Sequence, residues 1–231
     1  MKLRKFVVPI LMILVAGVSL QGQDCQDFFP QKEGAVLHYV TYDKKDKVTG
    51  SSEMSFKEKK QGADFTSIVF SSTYSDKKGE AQFENEVEVD CKDGVLYFSS
   101  SKFLDPSTMS AYESMEVEVD ASHMEMPLNV KAGTELKDGS VKAVVSNNGM
   151  KLITISVNVS NRRVEALETM DTPAGSFECI KTSYDALSEI GFVKVKISAV
   201  EWYCPEVGTI RSESYNKNGK LTSYTVLESI K

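Results

Sequence analysis

Hydrophobic and polar positions alternate along most of this chain, and the alternation has a period of two. Residues 151–160 are the plainest case: Ile153, Ile155, Val157 and Val159 fall on one side, Thr154, Ser156 and Asn158 on the other. Successive side chains of a β-strand point to opposite faces, so this segment predicts a strand with one buried and one wet face. Runs of the same grain recur at 35–42, 52–59, 64–74, 81–91 and 95–100. In the second half they recur at 141–146, 163–170, 177–184, 192–203, 209–215 and 220–227. Short polar clusters separate them, among them 43–47, Asp76-Lys77-Lys78-Gly79, Asp93-Gly94, Asn147-Asn148-Gly149 and Asn216-Lys217-Asn218-Gly219. Asp-Gly and Asn-Gly steps between β-rich runs predict hairpins, because glycine accepts the positive φ that tight hairpin turns need.

Some segments depart from simple alternation. In 192–203, Val193, Val195, Ile197 and Ala199 share a face opposite Lys194 and Lys196, yet Val200 and Trp202 fall on the polar parity. Either a bulge resets the register near Ala199 or the far face becomes buried. Residues 35–42 set Leu37 and Tyr39 against Val36, Val40 and Tyr42, and 64–74 set Phe65 and Val69 against Ile68 and Phe70. Strands apolar on both faces imply a sheet that curls around a second layer, a helix or a ligand cavity. Helix is confined to 107–115, where Met109, Tyr112 and Met115 follow Asp105-Pro106 at a three-residue spacing and predict a turn or two. No linker or internal repeat divides the chain. The expected fold is all-β: a single domain over 23–231, built as a strongly curved antiparallel sheet or half-open β-barrel with at most one or two short helices.

The first 22 residues follow different rules. Lys2, Arg4 and Lys5 lead into an apolar run, 6–18, and Ser19-Leu20-Gln21-Gly22 closes it. That order reads as a secretory signal peptide cleaved after Gly22. A retained anchor would need about 20 apolar residues. Gly22-Gln23-Asp24 ahead of Cys25 also lacks the small apolar residues of a lipidation signal. The protein is therefore expected to be exported. Its formal net charge is −6, and the exported chain is more acidic still, since the leader carries three basic residues and no acid. Such a balance disfavours nucleic acid and anionic membrane surfaces, which attract clustered Lys and Arg. An even set of four cysteines in an exported chain predicts two disulfides, with three pairings possible. Cys25–Cys91 and Cys179–Cys204 are the preferred pairs, the second because two successive antiparallel strands would bring its side chains together. No C-x₂-C spacing points to a metal.

Catalytic chemistry is thinly represented. His38 lies within a strand-like run, and His123 sits in Ser122-His123-Met124-Glu125-Met126-Pro127, which reads as a connection. Neither is spaced as a metal ligand or as a base beside a nucleophile. Ser75-Asp76-Lys77-Lys78 and Ser99-Ser100-Ser101-Lys102 match S-x-x-K formally, without the helix and companion motifs that chemistry requires. Glu84, Glu86, Glu88 and Asp90 share one strand parity, and Glu116, Glu118 and Asp120 another. Carboxylates about 7 Å apart along a strand face do not share a calcium ion, so these rows read as solvated outer faces better paired with a strand carrying Lys194 and Lys196.

Two motifs in the C-terminal third carry a family likeness. Thr172-Pro173-Ala174-Gly175-Ser176-Phe177-Glu178-Cys179, followed by Glu201-Trp202-Tyr203-Cys204-Pro205-Glu206-Val207-Gly208-Thr209-Ile210-Arg211, resembles the TapB-like exported β-proteins of Gram-negative anaerobes, a domain family of unknown function. Cys25 near Phe28-Phe29-Pro30, and Val89-Asp90-Cys91-Lys92, fit the same pattern. The resemblance implies a strongly curved sheet like the open barrels of lipoprotein carriers, and it brings no catalytic residues. Pro173 and Gly175 read as a turn into the next strand, Pro205 and Gly208 as a corner, and Trp202 as a core plug. The expected function is non-enzymatic and in the cell envelope, in the periplasm or at the cell surface, without a cofactor. The expected partner is an apolar small molecule such as a lipid or, as the alternative, an envelope protein docking on an exposed Met-rich patch formed by Met109, Met115, Met124 and Met126.

Overall fold

Thirteen strands realise this alternation among the described residues, which in the computed structural model are 34–62, 64–104, 108–109, 111–112, 114–205 and 207–231. They are β1 Val36–Asp43, β2 Val48–Gln61, β3 Thr66–Asp76, β4 Ala81–Lys92, β5 Val95–Ser99, β6 Glu116–Ala121 and β7 His123–Pro127. The second half contributes β8 Gly139–Asn147, β9 Met150–Thr172, β10 Gly175–Ile190, β11 Val193–Cys204, β12 Gly208–Asn216 and β13 Leu221–Ile230. All belong to one antiparallel sheet in the order β6-β8-β9-β10-β11-β12-β13-β1-β2-β3-β4-β5-β7. The sheet curls into a barrel that is nearly closed, with one seam between its two ends.

The turns behave as their sequences require. Asp93-Gly94 and Asn148-Gly149 hold positive φ at both positions (51° and 72°, 50° and 73°), and each closes a two-residue hairpin. Inward parity is apolar nearly all the way round: Leu37, Ile68, Leu96, Met124, Val141, Val145, Val159 and Leu227 are fully buried. Outward parity takes the charge. Glu84, Glu86, Glu88, Glu116, Glu118 and Asp120 are exposed. The lysines of β11 do not serve them. Lys194 pairs with Glu189 and Lys196 with Asp185 of β10, while Asp120 faces Lys142 across β8.

Three further expectations need correction, and one open alternative is resolved. Residues 151–160 and 163–170 are not two strands but one, β9. Asn161, at a φ of 55°, bends it without ending it, and the ladder to β10 shifts register there, with β9 carrying the extra residues: Glu165 opposite Lys181/Thr182, and Asn161 and Arg162 against Tyr184 alone. Between β10 and β11 the register runs unbroken through Ala199, so the far face is buried instead, with Trp202 only 5% exposed. The register shift along β11 falls against β12, where Trp202 and Tyr203 face Arg211 and Thr209 and Ile210 of β12 is the extra residue. His123 opens strand β7 rather than a connection, because β5 supplies a partner that local pattern does not reveal. Finally, Met124 and Met126 are buried on the inward parity of β7, and Met109 and Met115 pack against the core, so these four form no exposed patch. Among the described residues helix is sparse: a single 3-10 turn spans Ser100–Phe103, Thr108 and Met109 are helical, and Tyr112 and Met115 close turns onto Met109 and Tyr112.

Candidate functional site

The seam is built by one segment that changes partner halfway. β6 pairs with β8, whereas β7, one residue further on, pairs with β5. At the switch, Ser122 donates its N–H to the Ser140 carbonyl and accepts from the Ser100 N–H, both at 2.9 Å. Its hydroxyl oxygen accepts from the Ser140 N–H at 2.8 Å, and the buried Ser100 hydroxyl donates to the Ser140 carbonyl at 2.6 Å. Three serines thus tie β5, the crossing segment and β8 together at one level. Below that level β7 and the approach to β8 have no ladder. Gly139 lets them come close, since a Cβ there would lie 2.5 Å from Met124 Cγ. Arg162 of β9 then fills the gap: its guanidinium donates to the Glu125 carbonyl at 3.2 and 3.3 Å and to the Lys137 carbonyl. It is 6% exposed, and burial lowers its pKa while Glu201 and other nearby acidic groups oppose the shift. An arginine keeps its proton under such strain, and its planar fork can serve two carbonyls at once.

The barrel holds a partly open cavity of about 340 Å³, of a size suited to a small molecule. One wall is apolar, made by Met54, Phe70, Val87, Val89, Leu96 and Phe98. Hydroxyls line another, including those of Tyr39, Thr41, Ser72, Tyr74 and Tyr203, with Thr41 and Thr225 bonded across the ladder at 2.9 Å. Burial raises the pKa of Tyr39 and Tyr203, so both stay neutral donors. A charged node completes the lining. Tyr184 donates to Glu201 at 2.7 Å, Lys102 lies 3.8 Å from the same carboxylate, and Lys102 Nζ stands 4.3 Å from the Phe98 ring centroid. Burial, ahead of the Glu201 charge, holds the Tyr184 pKa well above its ordinary value. Arg162 and Tyr184 also line a second, open and polar concavity of about 810 Å³ with Glu135, Asp138, Arg163, Glu165 and Asp185.

The residues singled out from sequence lie elsewhere. Cys179 and Cys204 form a disulfide across β10 and β11, and Trp202 beside it donates to Glu168 at 2.7 Å. Pro173 is exposed in the β9–β10 turn, where Gly175 takes a φ of 140°, and Pro205 and Gly208 (φ 101°) shape the β11–β12 corner. Cys91 is buried and disulfide-bonded; Cys25, its preferred partner, and the whole leader 1–22 lie outside the described residues. His38 faces Glu53 at 3.6 Å on β1 and His123 is exposed on β7, with β2 to β5 between them in the sheet. Among the described residues no three His, Cys, Asp or Glu side chains converge as a metal site would need. Sequence reasoning missed Lys102, Arg162, Tyr184 and Glu201. Arg162 had one usable signal, a cation on the apolar parity of β9 in step with Val164.

Fold and cavity together define a class: small β-barrels of near-complete closure with an amphiphilic interior. The chain belongs to the DUF3108-like family, whose model matches residues 32–227. It is similar to the crystal structure of a Parabacteroides distasonis protein described as a lipoprotein, with 25% identity and a TM-score of 0.76 over 90% of this chain and 100% of that one. It is also similar to a Bacteroides fragilis protein described as exported and of YmcC-like fold, with 26% identity and a TM-score of 0.74 over 89% of this chain and 99% of that one. No curated protein matches significantly.

Proposed function

We propose that this is an exported, non-enzymatic protein of the cell envelope, in the periplasm or on the surface of a Gram-negative bacterium, that holds a lipid or other apolar molecule inside its barrel. The cavity carries this reading: apolar walls from Met54 to Phe98 meet a polar end at Lys102, Tyr184 and Glu201. An amphiphile satisfies both halves, its tail removing apolar area from water and its head meeting groups that are already oriented. The lipoprotein and exported descriptions of the two similar structures support the envelope setting. Mass spectrometry of the gently isolated protein under non-denaturing conditions, repeated after solvent extraction, tests the proposal. A stoichiometric amphiphile lost on extraction is the expected result. A bare chain that also fails to take up an apolar fluorescent probe in competition with fatty acids rejects it.

A second reading, a docking module of an envelope assembly, is favoured by one observation. On the side of β9 away from β10, residues 165–172 pair with no strand among the described residues, and Leu167 there is exposed. An open strand edge of this kind is a template for another chain.

A further inference from the structure

The low net charge conceals a strong separation of charge along the barrel axis. Because the strands alternate in direction, the β1–β2, β3–β4, β8–β9, β10–β11 and β12–β13 hairpins all turn at the same end. These turns and the strand residues next to them carry Lys44, Lys45, Lys47, Lys77, Lys78, Lys151, Lys194, Lys217 and Lys220, nine lysines in a chain of net charge −6. Five acids lie in the same turns and flanks, and Glu116 of β6, opposite Ser146, stands at the same end; four of these are engaged close by. Asp43 accepts from the Lys45 and Lys47 N–H groups, Asp76 from those of Lys78 and Glu80, Asp46 from the Tyr224 hydroxyl, and Glu189 pairs with Lys194. Glu80 and Glu116 are the exceptions, and eight of the nine lysines make no ion pair among the described residues.

The same end carries exposed apolar side chains. Phe192 projects fully into solvent at the β10–β11 tip, with Val193 and Val195 beside it. Met150 and Leu152 are exposed on the β8–β9 hairpin, whose strand β9 is the direct neighbour of β10. Lysine and apolar positions are interleaved, as in Lys151-Leu152 and Val193-Lys194-Val195-Lys196. Protein interface cores are depleted of lysine, so this mixture fits a protein partner poorly. The boundary of a bilayer accepts both: the rings and methyls enter beside the acyl chains, while long lysine stems reach back to anionic headgroups.

We infer that the hairpin end of the barrel docks on an anionic phospholipid surface, with the Phe192 and Met150 hairpins entering the headgroup region and the lysines of the other hairpins meeting lipid phosphates. This departs from the expectation drawn from net charge alone, and it is independent of what the cavity holds.

Flotation of the processed protein with vesicles of equal parts phosphatidylglycerol and phosphatidylcholine, against phosphatidylcholine alone, tests it. Comparison of variants with the unaltered chain cancels any contribution from the N-terminus. The expected result is binding to the anionic vesicles only, weakened by salt. It should fall roughly tenfold for the pair Phe192→Ser and Val193→Ser, and at least as much for Lys77→Glu with Lys78→Glu, given about 1 kcal/mol per lysine near such a surface. Lys131→Glu, away from the hairpin end, should leave it unchanged. Equal binding to both vesicle types, or no binding to either, overturns the inference. So does a loss confined to the lysine variants, which would mark a general polyanion surface, such as an acidic protein would use, instead of an inserted tip.

Discussion

The hairpin-built wall from β8 through β13 and β1 to β5 contrasts with the seam where β7 approaches β8. The wall is held by backbone ladders between hairpin partners joined by short turns, except that β13 pairs with β1 and so joins the two ends of the sheet-forming chain. The seam joins segments that are not hairpin partners, and side chains carry it: three serines, one missing Cβ at Gly139 and one buried guanidinium. Backbone ladders are redundant, so losing one side chain costs them little. A junction made from a few side chains concentrates its stability in those residues, and each of them is exposed to single substitutions in a way the wall is not.

Arg162→Leu should break that contrast most strongly. It leaves the Glu125 and Lys137 carbonyls without their donor at a buried site, for an expected loss of about 3 kcal/mol in urea unfolding. Arg162→Lys should recover little of this, because an ammonium lacks the fork. A leucine variant as stable as the parent would mean that water serves the carbonyls and the guanidinium does not hold the seam. Gly139→Val comes next, at about 2 kcal/mol, since its branched side chain must displace Met124. Ser122→Ala removes one acceptor from the Ser140 N–H and should cost about 1 kcal/mol, twice or more the effect of Thr41→Val in the wall, where the ladder persists. Comparable losses at Ser122 and Thr41 would erase the distinction.

The smallest effect sharpens the wall side. Trp202 donates to Glu168, and that bond, with Lys181 second, lowers the Glu168 pKa from its ordinary 4.5. A carboxylate whose folded-state pKa is depressed contributes stability above its unfolded-state value, and the contribution is lost as pH falls through the folded-state value. Melting temperature should therefore decline below about pH 4.5, and Trp202→Phe should flatten that decline while lowering the plateau. Parallel curves for the two chains would show that the carboxylate gains nothing from the indole.

Much of the wall can be read residue by residue. Ile155, Val157 and Val159 announce an inward face, and Asp93-Gly94 and Asn148-Gly149 announce their turns, because period-two burial and positive φ are local requirements. The cavity is only half legible. Apolar residues on both parities of 35–42 and 64–74 point to curvature, but its charged node is not written nearby in sequence: Lys102, Arg162, Tyr184 and Glu201 come from four separated segments. Each alone looks like an ordinary polar position of a strand or turn. His123 and the methionines of β7 were misplaced for the same reason, since the partner that makes this segment a strand lies on β5.

By itself, then, the sequence determined the element type, most of the turns, the two-faced burial and the acidic outer rows, all of which follow from side-chain alternation and backbone sterics acting within a few residues. Tertiary structure alone decided that one segment would serve two partners, that a buried arginine would close the gap, and that nine dispersed lysines would gather at one end of an acidic molecule. Those outcomes depend on strand order and direction, which are set by the closure of the whole sheet and leave no periodic trace along the chain.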